Sequence, residues 1–549
     1  MDDQEILIHQ ALEAQKDLPA GRQDMTAVEQ FAFQKDFCQI PKESTNYTQL
    51  IPKTTPGPGQ QYAFEVNLDQ CTGCKACVTA CHNENGLEED ETWRSVGLIH
   101  GVTTEGPAIQ HVTSACHHCL EPACMHGCPV KAYEKDPETG IVKHLDDQCI
   151  GCQYCIFKCP YDAPKYNKKK GIVHKCDMCI SRLNVGEAPA CVRACPNEAI
   201  RITLIDTTKV KEAPKEFVNN IPEAPDSHYT MPTTRYLTSK NLSPQMTSIN
   251  SVVFEPQHPH IPLVVMLVLT QLSVGAFFVE QLLSHTLEES MRILLLPTHA
   301  FSALGIGLLA LGASLFHLGR PLYAFRAVLG LRKSWLSREI LAFGIFSQLS
   351  FVYALQTKLS FLGGDLLAWT VLATGFGAVF CSVMVYRDTH RALWDTPMTS
   401  FRFFMTAAIL GTASILAVSL SVCAFNQQKF IYSLQAIGVP LATMMAFFSA
   451  AKIFTEAFMF SFLRQRPMTP LKKSLVLMIG PLRTYTIQRF VYGIVGGIVM
   501  PVLLIGLQAY LNTVWVLLWI WAMVLVTMAA EMMERYLFFR AVIPLKMPL

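Results

Sequence analysis

Polar and apolar positions divide the chain near residue 260. Up to about Pro259 the sequence is polar, charged and cysteine-rich; from Ile261 onward it is a series of long apolar runs broken by short basic stretches. Eight runs are long enough to cross roughly 30 Å of hydrocarbon as helices. They are Ile261 to Ser284, Arg292 to Phe316, Ile340 to Leu359, Leu366 to Tyr386, Phe401 to Phe425, Phe430 to Leu463, Phe490 to Tyr510 and Val514 to Arg535. The sixth is overlong and carries Lys452 and Glu456, which predicts tilting or extension past the membrane.

At 549 residues the chain exceeds one compact core, and the pattern assigns its parts to different solvents. The net charge of +2 averages two unlike objects, and no basic tract with interleaved aromatics suggests nucleic acid. Basic residues sort the loops. Arg320, Arg326, Arg332 and Lys333 follow the second run, Arg387 and Arg391 the fourth, and Arg464, Arg466, Lys472, Lys473 and Arg483 the sixth. Arg540 and Lys546 put the last segment on the same side. An even number of spans puts the polar half there too, which the positive-inside rule makes the cytoplasm. No export signal is legible in MDDQEILIHQ. The expected division is an extension over 1–60, with an amphipathic helix near Glu5 to Lys16, a cysteine-rich domain over 61–205, a Pro-, Thr- and Ser-rich strap over 206–260, and the membrane domain over 261–549.

Of the 19 cysteines, sixteen lie between Cys71 and Cys195 in four groups. Cys71, Cys74, Cys77 and Cys81 form CxxCxxCxxxC, and Cys149, Cys152, Cys155 and Cys159 repeat it before Pro160. The stretched groups are Cys116, Cys119, Cys124 and Cys128 before Pro129, and Cys176, Cys179, Cys191 and Cys195 before Pro196. These are bacterial ferredoxin runs, in which three close thiolates wrap one 4Fe-4S cube and the fourth reaches a neighbouring cube. Zinc is the rival reading, since paired CxxC elements suit it, but repeats ending in CxxxC are poor zinc spacing. One or two cubes would suffice to brace loops, whereas four suit a chain of electron carriers. Cys38, Cys381 and Cys423 lie outside the pattern and read as small apolar residues.

The segments CTGCKACVTACHNENGL, CHHCLEPACMHGCP, CIGCQYCIFKCPYDAPKYN and KCDMC…CVRACP resemble the electron-transfer subunit of dimethyl sulfoxide reductase-type molybdoenzymes over Gln61 to Ile205. That resemblance implies an α+β, ferredoxin-like head with four 4Fe-4S clusters. The implied ligand sets are Cys71, Cys74, Cys77 and Cys195; Cys81, Cys176, Cys179 and Cys191; Cys116, Cys119, Cys124 and Cys159; and Cys128, Cys149, Cys152 and Cys155. With Cys152 present, no three-iron cluster is implied. SLFHLGRPLYAFRAVLG, the SREI segment and EMMERYLFF resemble the anchor subunit of the same enzymes, normally a separate chain. The whole then reads as the head fused to an all-α polytopic membrane domain of eight transmembrane helices.

Ionisable groups in or beside apolar runs are functional candidates because burying them is costly. The resemblance makes His317 a quinol-site residue, able to take a proton as electrons leave. Glu339 and Arg338, opening the third run across a short loop, read as completing a site on the same membrane face. A salt-bridged helix cap is the rival reading of both, and for Arg338 it weighs as much as function. His299 reads as hydrogen-bonded to a backbone carbonyl, and the pairs Lys452/Glu456 and Glu531/Arg535 read as neutralising each other at i, i+4. No paired axial histidines suggest haem. The expectation is therefore a multi-pass subunit of a prokaryotic inner (cytoplasmic) membrane, set in its lipid. It would pass electrons from menaquinol or another quinol of the quinone pool through four clusters to a separate molybdopterin catalytic subunit. Reverse flow, from a formate-type or sulfur-compound dehydrogenase to quinone, uses the same parts. An ion-translocating module would need several buried charges, which look scattered in the sequence; a passive tether would not need intact cluster ligands.

Overall fold

A computed structural model describes residues 47–548, except 104–105, 253, 360–363, 425–426, 509 and 511. The Glu5 to Lys16 segment and Cys38 lie outside the described residues. In the head, β1 (Gln60–Asn67) buries Ala63, Phe64 and Val66. The hairpin of β2 (Ser95–Thr103) and β3 (Gly106–Ser114) follows, then β4 (Tyr133–Lys135) with β5 (Val142–His144), and β6 (Lys165–Asn167) with β7 (Ile172–His174). β8 (Ile200–Asp206) returns antiparallel to β1, bringing Ile202 opposite Phe64 and Ile200 opposite Val66. The chain thus closes on itself around the cysteine loops, as the ferredoxin-like expectation requires.

The strap is more than a cover. It supplies β9 (Arg235–Leu237), parallel to β1, and β10 (Thr247–Ser248), antiparallel to β2, so each larger sheet gains an edge strand from it. The residues after the last span also reach the head, without forming a strand: Met547 is fully enclosed within the head's apolar core.

Among the described residues, eight helices are long and apolar enough to span a membrane. They are Ile261–Ser284, Glu289–Leu315, Trp335–Leu359, Asp365–Arg387, Pro397–Cys423, Lys429–Arg464, Arg483–Leu507 and Thr513–Arg540. The largest departure from expectation is the seventh, which starts at Arg483 rather than Phe490. Thr486 and Arg489 look like loop residues in sequence, yet neighbouring spans enclose both. The sixth is overlong, as expected, at 36 residues. It widens into a π turn over Leu434–Gly438, two residues before Pro440, and the seventh does the same over Val495–Val499 before Pro501. Proline lacks the N–H and crowds the preceding turn, and one extra residue per turn relieves both.

The first and fifth spans are the most enclosed and meet backbone to backbone. A side chain at Gly275 would collide with the Ala407 carbonyl, and one at Gly411 would collide with the Gly275 backbone. Small residues permit such approach, which is how helices gain contact in lipid. We expect Gly275→Leu to lower the unfolding temperature of the detergent-solubilised protein, with overpacking costing about 1–3 kcal/mol or more. Gly377→Leu is the control, because nothing lies within 4 Å of a Cβ there.

Candidate functional site

Each cysteine loop turns through left-handed backbone. Gly73 and Lys75, Gly151 and Gln153, and Met178 and Cys179 all have positive φ. This curls N–H groups inward toward sulfur. Gly151 N donates to Cys149 Sγ at 3.4 Å, Met178 N to Cys176 Sγ at 3.4 Å, Ala132 N to Cys128 Sγ at 3.2 Å and Ala199 N to Cys195 Sγ at 3.3 Å. Such bonds favour thiolate and stabilise added negative charge on a metal–sulfur centre.

The fold gathers the thiols by space, not by sequence order. Cys71, Cys74, Cys77 and Cys195 line one cavity, and Cys116, Cys119, Cys124 and Cys159 line another. Cys81 lies within electrostatic reach of Cys179 and Cys191, and Cys176 reaches all three; Cys128, Cys149, Cys152 and Cys155 are grouped likewise. Adjacent sets approach through Cys77 with Cys191, through Cys176 with Cys116, and around Tyr133, which lies near Cys124 as well as Cys128 and Cys155, so the groups form a series. Among the described residues, no three potential ligands converge as a single metal ion requires. Four thiols around a common space suit a cube with one ligand per iron, and fit mononuclear zinc poorly.

Two buried cations beside these sets were not anticipated. Arg94 lies near Cys77, Cys81, Cys176 and Cys191, with its guanidinium over the Phe64 ring and donating to Thr113 Oγ1 at 3.2 Å. Lys175 lies near Cys116, Cys124 and Cys176, its Nζ held by the carbonyls of Val142 and Cys176. Burial would discharge both, but the neighbouring sulfurs outweigh it and hold them protonated. The one sequence clue is that Lys175 immediately precedes Cys176.

The head rests on the anchor where the loops after the second and fourth spans emerge. Gly151, Gly171 and Gly319 meet there with no room for side chains. Arg320 N donates to Ile150 O at 3.1 Å, Tyr154 Oη to Val385 O at 2.9 Å and Gly330 N to Pro129 O at 2.7 Å. Lys158 pairs with Asp388 at 2.7 Å. The head therefore lies on the basic-loop side.

A cavity of about 410 Å³ opens at this junction. Its apolar walls come from the first four spans, and Cys152, His317 and Glu339 line it together. His317 Nε2 donates to the Cys152 carbonyl at 3.2 Å, and Ser382 Oγ donates to Glu339. Burial pushes His317 down to about 4, so its imidazole is neutral near pH 7, with Nδ1 free to accept a proton. His260, on left-handed backbone before the first span, sets its ring 5.1 Å from His317 and 4.8 Å from His258. Sequence reasoning passed over both; HPH just ahead of an apolar run was the available signal.

Arg338 does not join this site. Its guanidinium donates to Leu331 O at 3.0 Å and Arg332 O at 2.8 Å and lies 4.4 Å over Trp335, so it secures the loop leading into the third span. His299 meets the Ser419 hydroxyl at 2.9 Å, rather than a backbone carbonyl. Lys452 contacts Glu531 as well as Glu456, while Glu456 takes a bidentate pair from Arg489, each bond 2.9 Å. The apparently scattered charges form one network across the fifth to eighth spans. Periodicity within single helices could not reveal contacts between distant ones.

Residues 108–204 match the 4Fe-4S dicluster domain family, and residues 256–540 match the family of the DMSO reductase anchor subunit (DmsC). The iron–sulfur subunit of the anaerobic dimethyl sulfoxide reductase of Escherichia coli K12 is 36% identical over 180 residues, covering 31% of this chain and 86% of that subunit. The corresponding Haemophilus influenzae subunit is 35% identical over 172 residues, covering 30% and 83%. The hydrogenase-2 operon protein HybA of E. coli O157:H7 is 38% identical over 156 residues, covering 24% of this chain and 48% of HybA. The chain therefore belongs to the DMSO reductase anchor-subunit family, and it joins to that anchor, in one polypeptide, an iron–sulfur electron-transfer head of the dimethyl sulfoxide reductase type.

Proposed function

We propose that this chain oxidises a quinol of the menaquinol class in the junction cavity and passes the electrons through four 4Fe-4S clusters to a molybdopterin-containing catalytic subunit. The observation that carries the proposal is a single cavity whose lining includes an apolar wall, a neutral imidazole, a buried carboxylate and Cys152 of a thiol set. A quinol ring has apolar walls to enter, and its hydroxyls have two acceptors. His317 Nδ1 accepts one proton and Glu339 the other, while Ser382 keeps the carboxylate oriented. The bond from His317 to the Cys152 carbonyl fixes the imidazole tautomer and couples the proton acceptor to the cysteine loop. The four thiol sets would each hold one cluster, which when bound carries single electrons onward. Arg94 and Lys175 stabilise the added negative charge.

The same parts support the opposite direction. Relatives include the formate dehydrogenase iron–sulfur subunit of H. influenzae, 32% identical over 162 residues. Potentials decide the direction, and they depend on the N–H to sulfur bonds and the buried cations. The membrane is read as the inner (cytoplasmic) membrane with the head in the cytoplasm, since Arg464, Arg466, Lys472 and Lys473 share the head's side. A fluorescent protein that matures only in the cytoplasm, fused after Leu549, should fluoresce; a dark but stable fusion would reverse the orientation.

Reduction of the clusters by a menaquinol analogue, followed anaerobically by electron paramagnetic resonance, tests the central step. His317→Ala should slow it by roughly 100-fold or more, the usual worth of a positioned acid–base group, while dithionite still reduces every cluster. Glu339→Gln should slow it less if His317 takes the first proton. Unchanged quinol reduction in both variants would remove the cavity from the pathway. Lys175→Met should lower the midpoint potentials of the two flanking clusters by on the order of tens of millivolts and leave the others in place.

A further inference from the structure

The network in the anchor is not neutral. Arg402, Lys452, Arg489 and Arg535 face Glu456, Glu531 and Glu534, so four cations meet three carboxylates, all almost fully buried. The group sits at one level. Arg402 and Arg489 lie five and six residues into the fifth and seventh spans, and Arg535 five residues before the end of the eighth, so the level is roughly one and a half turns inside the head-side ends. A net charge at that depth is costly unless something compensates it.

The excess charge can be located. Lys452 contacts Glu531 and has Glu534 at 3.8 Å and Glu456 at 3.9 Å. Arg489 holds Glu456 by two bonds of 2.9 Å and has Glu531 at 3.4 Å. Arg535 donates to Glu534 Oε2 at 2.7 Å and to Gln271 Oε1 at 3.0 Å. Arg402 is left with Glu534 Oε1 at 3.4 Å, a contact without hydrogen-bond geometry, and with the Phe538 ring 5.5 Å from its guanidinium carbon, while its Nε and Nη2 have no acceptor among the described residues. Arg402 also lines a cavity of about 30 Å³, shared with Glu456, Arg489 and Glu534 and flanked by apolar side chains such as Phe460 and Phe490.

We propose that this cavity binds a small monovalent anion of the halide class, with Arg402 as its principal donor and Arg489 behind it. The volume admits one or two water-sized groups and excludes phosphate or a lipid headgroup. Water alone would satisfy Nε and Nη2 but would leave the charge uncompensated; an anion does both. Glu456 and Glu534 border the cavity; Arg489 holds both oxygens of Glu456 and Arg535 holds Glu534 Oε2, while Glu534 Oε1 makes no hydrogen bond and faces Arg402, so the anion must sit on the Nε and Nη2 side of that guanidinium. The site lies apart from the junction cavity and adds a ligand to the anchor independently of electron transfer.

The test uses the full chain with its copurifying partner in lipid nanodiscs, comparing chloride, bromide and gluconate at equal ionic strength. Gluconate is too large for the cavity. The unfolding temperature should be roughly 2–4 °C higher in chloride or bromide than in gluconate. Bromide should give an anomalous scattering peak within hydrogen-bond distance of Arg402. Arg402→Gln should abolish the halide dependence; should that variant not fold, Glu534→Gln, which raises the excess charge, should reach half-maximal stabilisation at several-fold lower halide. Equal unfolding temperatures in the three salts, no bromide peak, or a halide effect unchanged in the variant that folds would each overturn the proposal.

Discussion

Three glycines from distant parts of the chain determine how closely two dissimilar bodies approach. Gly151 and Gly171 of the head press on Gly319 of the anchor, and a single Cβ at any of them would force the surfaces apart. That approach allows the Ile150 carbonyl to take its bond from the Arg320 amide and the Cys152 carbonyl to take its bond from His317. Beyond the glycine contact, the junction is walled by large apolar side chains such as Phe157, Leu315, Phe343 and Tyr386, and the cavity lies among them. The spacing between the Cys152 loop and the cavity is thus governed by backbone contact, the least compressible contact available.

Legibility in the sequence followed from how local each signal was. Cysteine spacing is local, because a cube must be wrapped by one short loop, and apolar run length is local, because a membrane has a fixed thickness. His317 and Glu339 were readable because each ends or opens a span, where a polar residue stands out. Arg94, Lys175 and His260 were not, since a buried cation or imidazole acquires meaning only from the groups packed against it. The same reason hid the anchor network. Lys452 and Glu456 suggest a self-contained pair at i, i+4, whereas each has a better partner on another helix. Arg338 shows the converse: adjacency to Glu339 suggested a shared site, but successive helical residues face different ways.

Charge in the loops serves two purposes at once. Arg320 and Arg326 donate to the carbonyls of Asp146 and Asp147, and Arg391 donates to those of Ile156 and Phe157. These residues, which sequence reading counts toward membrane orientation, also grip the head. Docking and topology therefore reinforce each other, and the loop after the sixth span carries the part of the bias that docking does not explain.

The strap has a bearing on biogenesis. Its strands β9 and β10 finish both larger head sheets by Ser248, before residue 261 opens the first span. Synthesis in chain order therefore delivers the complete thiol scaffold ahead of the eight described spans. Met547, seated in the head's core, arrives only after all eight spans. The head can be built first and is sealed last, so closure of its core reports that the membrane half has been inserted and folded back to meet it.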